Sequence, residues 1–420
     1  MTRPVGRRLR ITYIHQHFHL PSEAGGSRPW EFARRLAARG HSVTIIAGGS
    51  VSSDTTHEGV RVLRTKTRFS TDMSRLRRLL AFAQFMLKST AAALRIPADV
   101  VLASSTPLTT AVPGVLAAGL RRCAFVFEVR DLWPEAPVAL GELRSRPVIT
   151  VARALERLAY TRAAHVIALS PGMAEGVLEV VPGTPVTVVP NASDIALFSM
   201  DDQRRRTVRE ENGWEGRAVI LYAGSMGRTY DLPWIIDVAA HLRGSDAQFV
   251  ICGSGAQSGP LHERAAIAGL DADALLVGAK PKSEIATLLP AADFAVSTLL
   301  DNDVLHANSL NKVFDALAAG RPILFNHDGW LTDLVCEAGA GWRLSRDPRQ
   351  AAAQLSDLLA SLPAVFQNAS AASHQLALRM FSRDELFERF ESVLLAAVRS
   401  QGRTPSPRSA LENTSEGNVP

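Results

Sequence analysis

The feature that most constrains this chain is an alternation of short apolar runs with helical stretches that proceeds, stops and starts again. The first series holds LRITYIHQHF, the helical PWEFARRLAARG, then HSVTIIAG, ADVVLASS, CAFVFEVRD and AAHVIALS. After the turn-like PNASDIALF and a charged stretch from Asp201 to Glu215, the pattern resumes with AVILYAGS, AQFVICGSG, ALLVGA, ADFAVST and RPILFN. Apolar runs of this length separated by helices predict a parallel sheet covered on both faces. The restart predicts two doubly wound α/β units, over residues 9–195 and 216–375, and a chain of 420 residues gives each its own core. A cleft between the C-terminal edges of the two sheets is then the expected site. A closing helix that packs back across the domains is expected over 376–400, its amphipathic part SRDELFERFESVLLAAVRS following a Ser/Ala-rich approach, and 401–420 reads as a disordered polar tail.

Composition narrows the function classes. Cys123, Cys252 and Cys336 lie far apart, which argues against a disulfide framework and against a cysteine metal site. The start MTRPVGRRLR runs straight into a strand-like segment without the apolar stretch of a secretory signal, so a cytoplasmic location is expected. A net charge of +5 favours anionic partners. Nucleic acid is not expected among them, because no DNA- or RNA-reading motif is present and basic residues do not alternate with stacking aromatics. One segment, Ser74 to Ile96, combines Arg75, Arg77, Arg78, Lys88 and Arg95 with an apolar body that Gln84 and Lys88 interrupt, short of the roughly 20 residues a membrane-spanning helix needs. It reads either as a helix lying on an anionic membrane surface, at the inner face of the cell membrane, or as a helix covering the first sheet with its charges solvated.

Several loops carry chemistry. Gly25 and Gly26 precede a helix start, where backbone N–H groups can approach a phosphate or sugar, although a Gly pair alone is a weak signal and a turn needing positive φ accounts for it first. His15, His17 and His19 alternate along a strand end and cannot all face one side, so a zinc site is not expected. Asp131, leaving the strand of FEVRDLWPEAP, lies where this fold places ligands; the alternative is a loop hydrogen bond, for example with Arg130. In YAGSMGRTYDL, Gly224 and Gly227 let the backbone approach a diphosphate and Arg228 adds a charged fork. This is not the dinucleotide fingerprint, and hydride chemistry is not expected. Gly253 and Gly255 in ICGSG mark a second strand-to-turn approach that touches a base or merely turns. The most informative segment is SLNKVFDALAAGRPILF. Helical spacing puts Asn311 and Asp315 on one face, so that Asp315 can accept from ribose hydroxyls while Lys312 meets phosphate; a capped helix packing through its alanines accounts for the alanines but not for this polar cluster.

With these motifs the chain resembles the family 4 retaining glycosyltransferases of the GT-B fold, in particular the bacterial surface-polysaccharide branch that includes fucosamine transferases. The resemblance runs through RLAARGHSVTII, VRDLWPE, IALSPGM, VVPNASD, YAGSMGRTYDL, AADFAVST and NKVFDALAAGRPI in order. It implies two Rossmann-like domains, the first receiving the acceptor and the second binding a nucleotide-sugar. It further implies that Gly26 lies near the donor phosphate or sugar, Arg228 near the pyrophosphate, Asp315 near the ribose and Asp131 at the transfer site. Many relatives carry two Glu separated by seven residues; here the later position is Asp315 and the earlier is Ala307, so Asn308 or Ser309 is the candidate replacement. The lysine that often follows the phosphate-turn arginine is missing beside Tyr230 and Asp231, which leaves Lys312 or Lys280 to supply that charge. The expected activity is transfer of a hexosyl unit from a UDP-linked or other NDP-sugar to a lipid-linked or glycan acceptor, without cofactor or metal, since no Asp-x-Asp motif is present. The rival readings are a non-hydrolysing sugar-nucleotide epimerase and a non-catalytic nucleotide-binding subunit.

Overall fold

The computed structural model describes residues 7–401 except 21–22, 24–27, 68–72, 74, 106 and 362–363. The Gly25–Gly26 loop and, apart from Gln401, the 401–420 tail therefore lie outside the described residues.

The N-terminal sheet is formed by β1 (Arg10–Ile14), β2 (Ser42–Gly49), β3 (Ser53–His57), β4 (Val60–Lys66), β5 (Val100–Ser104), β6 (Ala124–Val129), β7 (His165–Ala168) and β8 (Val186–Val188). Their order is β3-β4-β2-β1-β5-β6-β7-β8, parallel throughout except for the β3–β4 hairpin. All residues of β5 and β6 are buried, as strands covered on both faces require. The polar SDTTH of β3 suits an edge, where one side meets water. The second sheet is formed by β9 (Ala218–Ala223), β10 (Ala247–Cys252), β11 (Leu276–Gly278), β12 (Phe294–Ser297), β13 (Ile323–Phe325) and β14 (Gly341–Arg343), in the order β11-β10-β9-β12-β13-β14 and wholly parallel. In each sheet the winding reverses beside the first strand, between β1 and β5 and between β9 and β12. Ligands of doubly wound sheets bind outside the carboxyl ends of the strands at such points.

The segment read as one closing helix contains a break. A helix over Ala364–Met380 ends before Phe381, whose ring packs edge-on against Phe314 at 4.8 Å in the C-terminal core. A second helix, Arg383–Gln401, then buries Leu386, Phe387, Phe390, Val393, Leu394 and Ala397 in the N-terminal core, with Phe390 stacked on Phe32 at 4.5 Å. The helix Arg75–Arg95 packs through Ala81, Phe85, Ser89 and Ala93, one residue per turn on a single face, and leaves Leu79, Leu80 and Leu87 exposed. Among the described residues no helix is long and apolar enough to cross a membrane.

Candidate active site

The first wall of the cleft is built on the carboxyl ends of β1 and β6. Inside it, fully buried Glu128 accepts from Tyr13 Oη at 2.8 Å and from Arg28 Nε at 2.9 Å. Burial pushes the Glu128 carboxyl up, but Arg28, Arg130 and the bond from Tyr13 outweigh it and hold the group below the ordinary carboxylate value. Arg28, the first residue of the helix Arg28–Ala38, also donates to the carbonyls of Val189 and Pro190 in the segment that crosses to the second domain. The edge of this layer, Arg130 and Asp131, follows β6 directly and is half-buried. Arg130 N donates to Ser105 Oγ at 2.8 Å, and burial pushes the neighbouring Asp131 carboxyl up to about 6 while Arg130 pulls it down. His15 and His17 are held neutral, His15 well below its ordinary value and His17 at about 4, by burial first and then by the charges around them, Arg130 among these. Nδ1 of His15 and both amide atoms of Gln16 are buried without hydrogen-bond partners among the described residues, which leaves this strand end with unused polar capacity there. Among the described residues no group of three His, Cys, Asp or Glu is placed to hold a metal ion.

The opposite wall is made by the turn after β9 and the helix Asn311–Ala318, brought together across 90 residues of sequence. Lys312 Nζ donates to Tyr222 Oη at 2.6 Å, and Tyr222 Oη donates to the Ser225 carbonyl at 2.7 Å. The same amine lies 4.0 Å from the Tyr222 ring centre and 3.7 Å from that of Tyr230. Burial holds it well below the ordinary lysine value, and among the described residues no carboxylate pairs with it. Gly224 is glycine for a local reason: a Cβ there would stand 3.1 Å from Lys312 Cε. Gly227 and the exposed Arg228 form the tip of the turn. Tyr230 closes it within reach of Asp131, whose charge adds to burial in raising the Tyr230 phenol. Lys280, the other candidate for the missing charge, is paired with Glu284 at 3.2 Å.

Other sequence-read positions have different surroundings. Gly253 packs under the first glycine turn: a Cβ there would lie 2.0 Å from the Gly224 carbonyl oxygen, so backbone approaching backbone accounts for the glycine without a ligand. Gly255 approaches Met226 in the same way. Ser309 is engaged by the crossing segment, its Oγ accepting from Asn191 N at 3.1 Å and its carbonyl from Asn191 Nδ2 at 2.8 Å. Asp315 accepts from Ser193 Oγ at 2.6 Å and faces Lys282 Nζ at 3.6 Å, so the carboxylate read as a ribose acceptor already serves the domain crossing in this structure. Asn311 is exposed at the helix start, and the Asn308 carbonyl accepts from Trp330 Nε1 at 3.0 Å. Ala307 abuts the other domain: a Cβ on Gly172 would be 3.2 Å from its own. Arg28, Tyr222, Gln257 and His327 also belong to this layer, though no motif in the sequence marks them, the last buried with its Nε2 3.0 Å from Ser297 Oγ and held neutral, at about 4, chiefly by burial.

The family described as "Glycosyl transferase 4-like domain" matches residues 24–192, and that described as "Glycosyl transferases group 1" matches residues 217–361. The chain belongs to the glycosyltransferases. Solved structures show the same two-domain GT-B architecture. Sucrose-phosphate synthase from Thermosynechococcus elongatus aligns at 18% identity over 94% of this chain and 100% of that one, with a TM-score of 0.74. Anabaena HepE in complex with UDP-glucose aligns at 17% identity over 93% and 100%, with a TM-score of 0.70. WaaG, a glycosyltransferase involved in lipopolysaccharide biosynthesis, aligns at 15% identity over 91% and 99%, with a TM-score of 0.67. At these identities the likeness is one of fold. Comparison with curated protein sequences gave no match. In this glycosyltransferase the 24–192 match ends within the crossing segment that holds Asn191 and Ser193, so the contacts to Ser309 and Asp315 join its two domains.

Proposed function

We propose that this glycosyltransferase moves a hexosyl unit from a UDP-linked sugar to a lipid-linked or glycan acceptor with retention of anomeric configuration, in the manner of the surface-polysaccharide enzymes it resembles. The observation that carries the reading is Lys312: an amine shut between two rings, with no carboxylate partner among the described residues, at the first turn of a helix whose N-terminus adds positive potential. A leaving diphosphate supplies the missing anion. Lys312, Arg228 and the backbone N–H groups of Asn311 and Lys312 would stabilise the charge that develops as the sugar–phosphate bond breaks. Asp131 would orient the acceptor from the first domain, and the departing phosphate oxygen takes the acceptor proton. The bound UDP-glucose of the HepE structure and the role of WaaG support the choice of donor and acceptor classes.

A panel of nucleoside diphosphates and their sugars, screened by thermal unfolding, tests the donor. UDP compounds should stabilise the protein by about 2.7 kcal/mol at a hundredfold excess over Kd. Silence across the whole panel removes the reading. Incubation of the stabilising NDP-sugar without acceptor should return it unepimerised.

The Asp131 role sets a pH dependence. With a carboxyl near 6, kcat/KM should fall below about pH 6 as the orienting charge is lost, and Asp131→Asn should remove that limb. An unchanged limb in Asp131→Asn transfers it to another group.

The helix Arg75–Arg95 supports residence at the inner face of the membrane. Leu79, Leu80 and Leu87 are exposed beside Arg77 and Arg95, and Leu116 and Leu120 are exposed on the helix Ala111–Arg121 packed against it. Protein should co-sediment with anionic but not neutral vesicles, and Leu80→Asp with Leu87→Asp should weaken this at least tenfold, since a buried leucine is worth about 1.5–3 kcal/mol. Equal binding by the double variant assigns this face to solvent.

A further inference from the structure

The environment of Lys312 extends the reading above, on which the following step rests. An amine on a flexible four-carbon stem is a poor phosphate ligand unless something fixes it. Here three contacts do so. Tyr222 Oη accepts from it, the Tyr222 ring lies at 4.0 Å, and the Tyr230 ring covers it at 3.7 Å. Tyr222 is fixed by its strand. Tyr230 belongs to the same turn as Arg228, and that turn is held from a third loop: Gln257 Nε2 donates to the Gly227 carbonyl at 2.5 Å and to the Tyr230 carbonyl at 2.9 Å. Tyr230 also lies close enough to Asp131 to feel its charge across the cleft. One side chain thus touches the candidate phosphate amine, shares a turn with the candidate phosphate guanidinium and faces the candidate acceptor carboxylate.

We propose that Tyr230 is a positioning residue for the leaving group, its ring holding the Lys312 amine over Gly224 so that the amine meets the diphosphate together with Arg228. The ring also keeps water from the amine. With no carboxylate among the described residues beside it, the buried amine loses its proton more readily, and an arriving diphosphate restores it, so binding should take up protons wherever the free amine is already neutral. The neighbouring groups do not supply that uptake. His327 is held neutral with its value near 4, Asp131 titrates near 6, and both tyrosines are pushed above their ordinary values.

The test is calorimetric titration of the nucleoside diphosphate selected by the thermal panel, in buffers of different ionisation enthalpy, at a series of pH values below the ordinary lysine value. Wild-type binding should take up protons, and Lys312→Met should abolish the uptake. Tyr230→Ala should weaken binding about tenfold and reduce the uptake, while Tyr230→Phe, which keeps the ring, should retain both. Tyr230→Ala added to Lys312→Met should cost nothing further, because the two act as a unit. Losses that multiply, or Tyr230→Ala with wild-type affinity and uptake, overturn the proposal. A wild-type protein that binds no nucleoside diphosphate instead overturns the donor reading beneath it, and that result is visible before any variant is made.

Discussion

Lys312→Met should lower kcat by about 10²–10³-fold while leaving the thermal midpoint unchanged or raised. Most substitutions that remove a buried contact cost both activity and stability, and this one should separate them. In the free protein the amine is enclosed by Tyr222 and Tyr230 and meets no carboxylate among the described residues, so its charged form is disfavoured by burial. Methionine has nearly the same length and shape, retains contact with both rings and removes the desolvation cost. In the transition state the balance reverses. Charge then develops on the diphosphate, and a cation held in a site poor in water acts on it far more strongly than it would in bulk solvent. A hundredfold loss corresponds to about 2.7 kcal/mol of transition-state stabilisation. Arginine should not rescue, since the space over Gly224 already brings Lys312 Cε to 3.1 Å from a Cβ at that position. Steady-state turnover beside thermal unfolding checks both halves, and a variant that loses stability in proportion to activity would show Lys312 to be a packing residue.

The two sheets were legible because β-branched and apolar runs such as VVLAS and AFVFEV read as strands buried on both faces, and because the pattern stops and restarts around the crossing. The polar edge strand β3 offers no apolar alternation to detect. The amphipathic run from Ser382 makes the second closing helix legible, whereas the end of the Ser/Ala-rich helix at Met380 has no such mark, and the contact of Phe381 with Phe314 that accompanies it is visible only in the folded core. At the site, the Gly224 turn and the Asn311–Asp315 helix start were each visible, but not their meeting. Tyr222 looks like an ordinary strand tyrosine until Lys312 is placed beside its hydroxyl. Gly253 illustrates a real ambiguity of glycine, since a backbone approached by a ligand and a backbone approached by another strand end both forbid a Cβ. Spacing put Asp315 on the correct helix face but could not show that Ser193 stands opposite. Local pattern assigns faces; partners come from segments far apart in the chain, 90 residues for Lys312 and Tyr222.

Arg28→Ala should be the most destabilising single change in the first domain, at about 3–5 kcal/mol, because it leaves Glu128 buried and without its close counter-charge. Both side chains are nearly free of solvent contact, at 4% and 0% exposure, so water cannot replace the guanidinium. The carbonyls of Val189 and Pro190 lose their donors in the same step, loosening the start of the segment that reaches Ser309 and Asp315. Replacing the pair together, as Arg28→Met with Glu128→Leu, should recover part of the loss by removing the orphaned charge, but not the part owed to the two carbonyls. The pH dependence gives an independent sign. In the wild type the Glu128 carboxyl titrates below its unfolded value of 4.5, so its contribution is present above that value and is lost as pH falls through the folded one. Without Arg28, burial dominates and moves the folded value above 4.5, so the variant should regain stability relative to wild type as pH falls from about 7 towards about 5. Urea unfolding of both proteins across that range measures the difference, and a gap that stays constant with pH would mean that Glu128 keeps its charge by another partner, with Arg130 the first to examine.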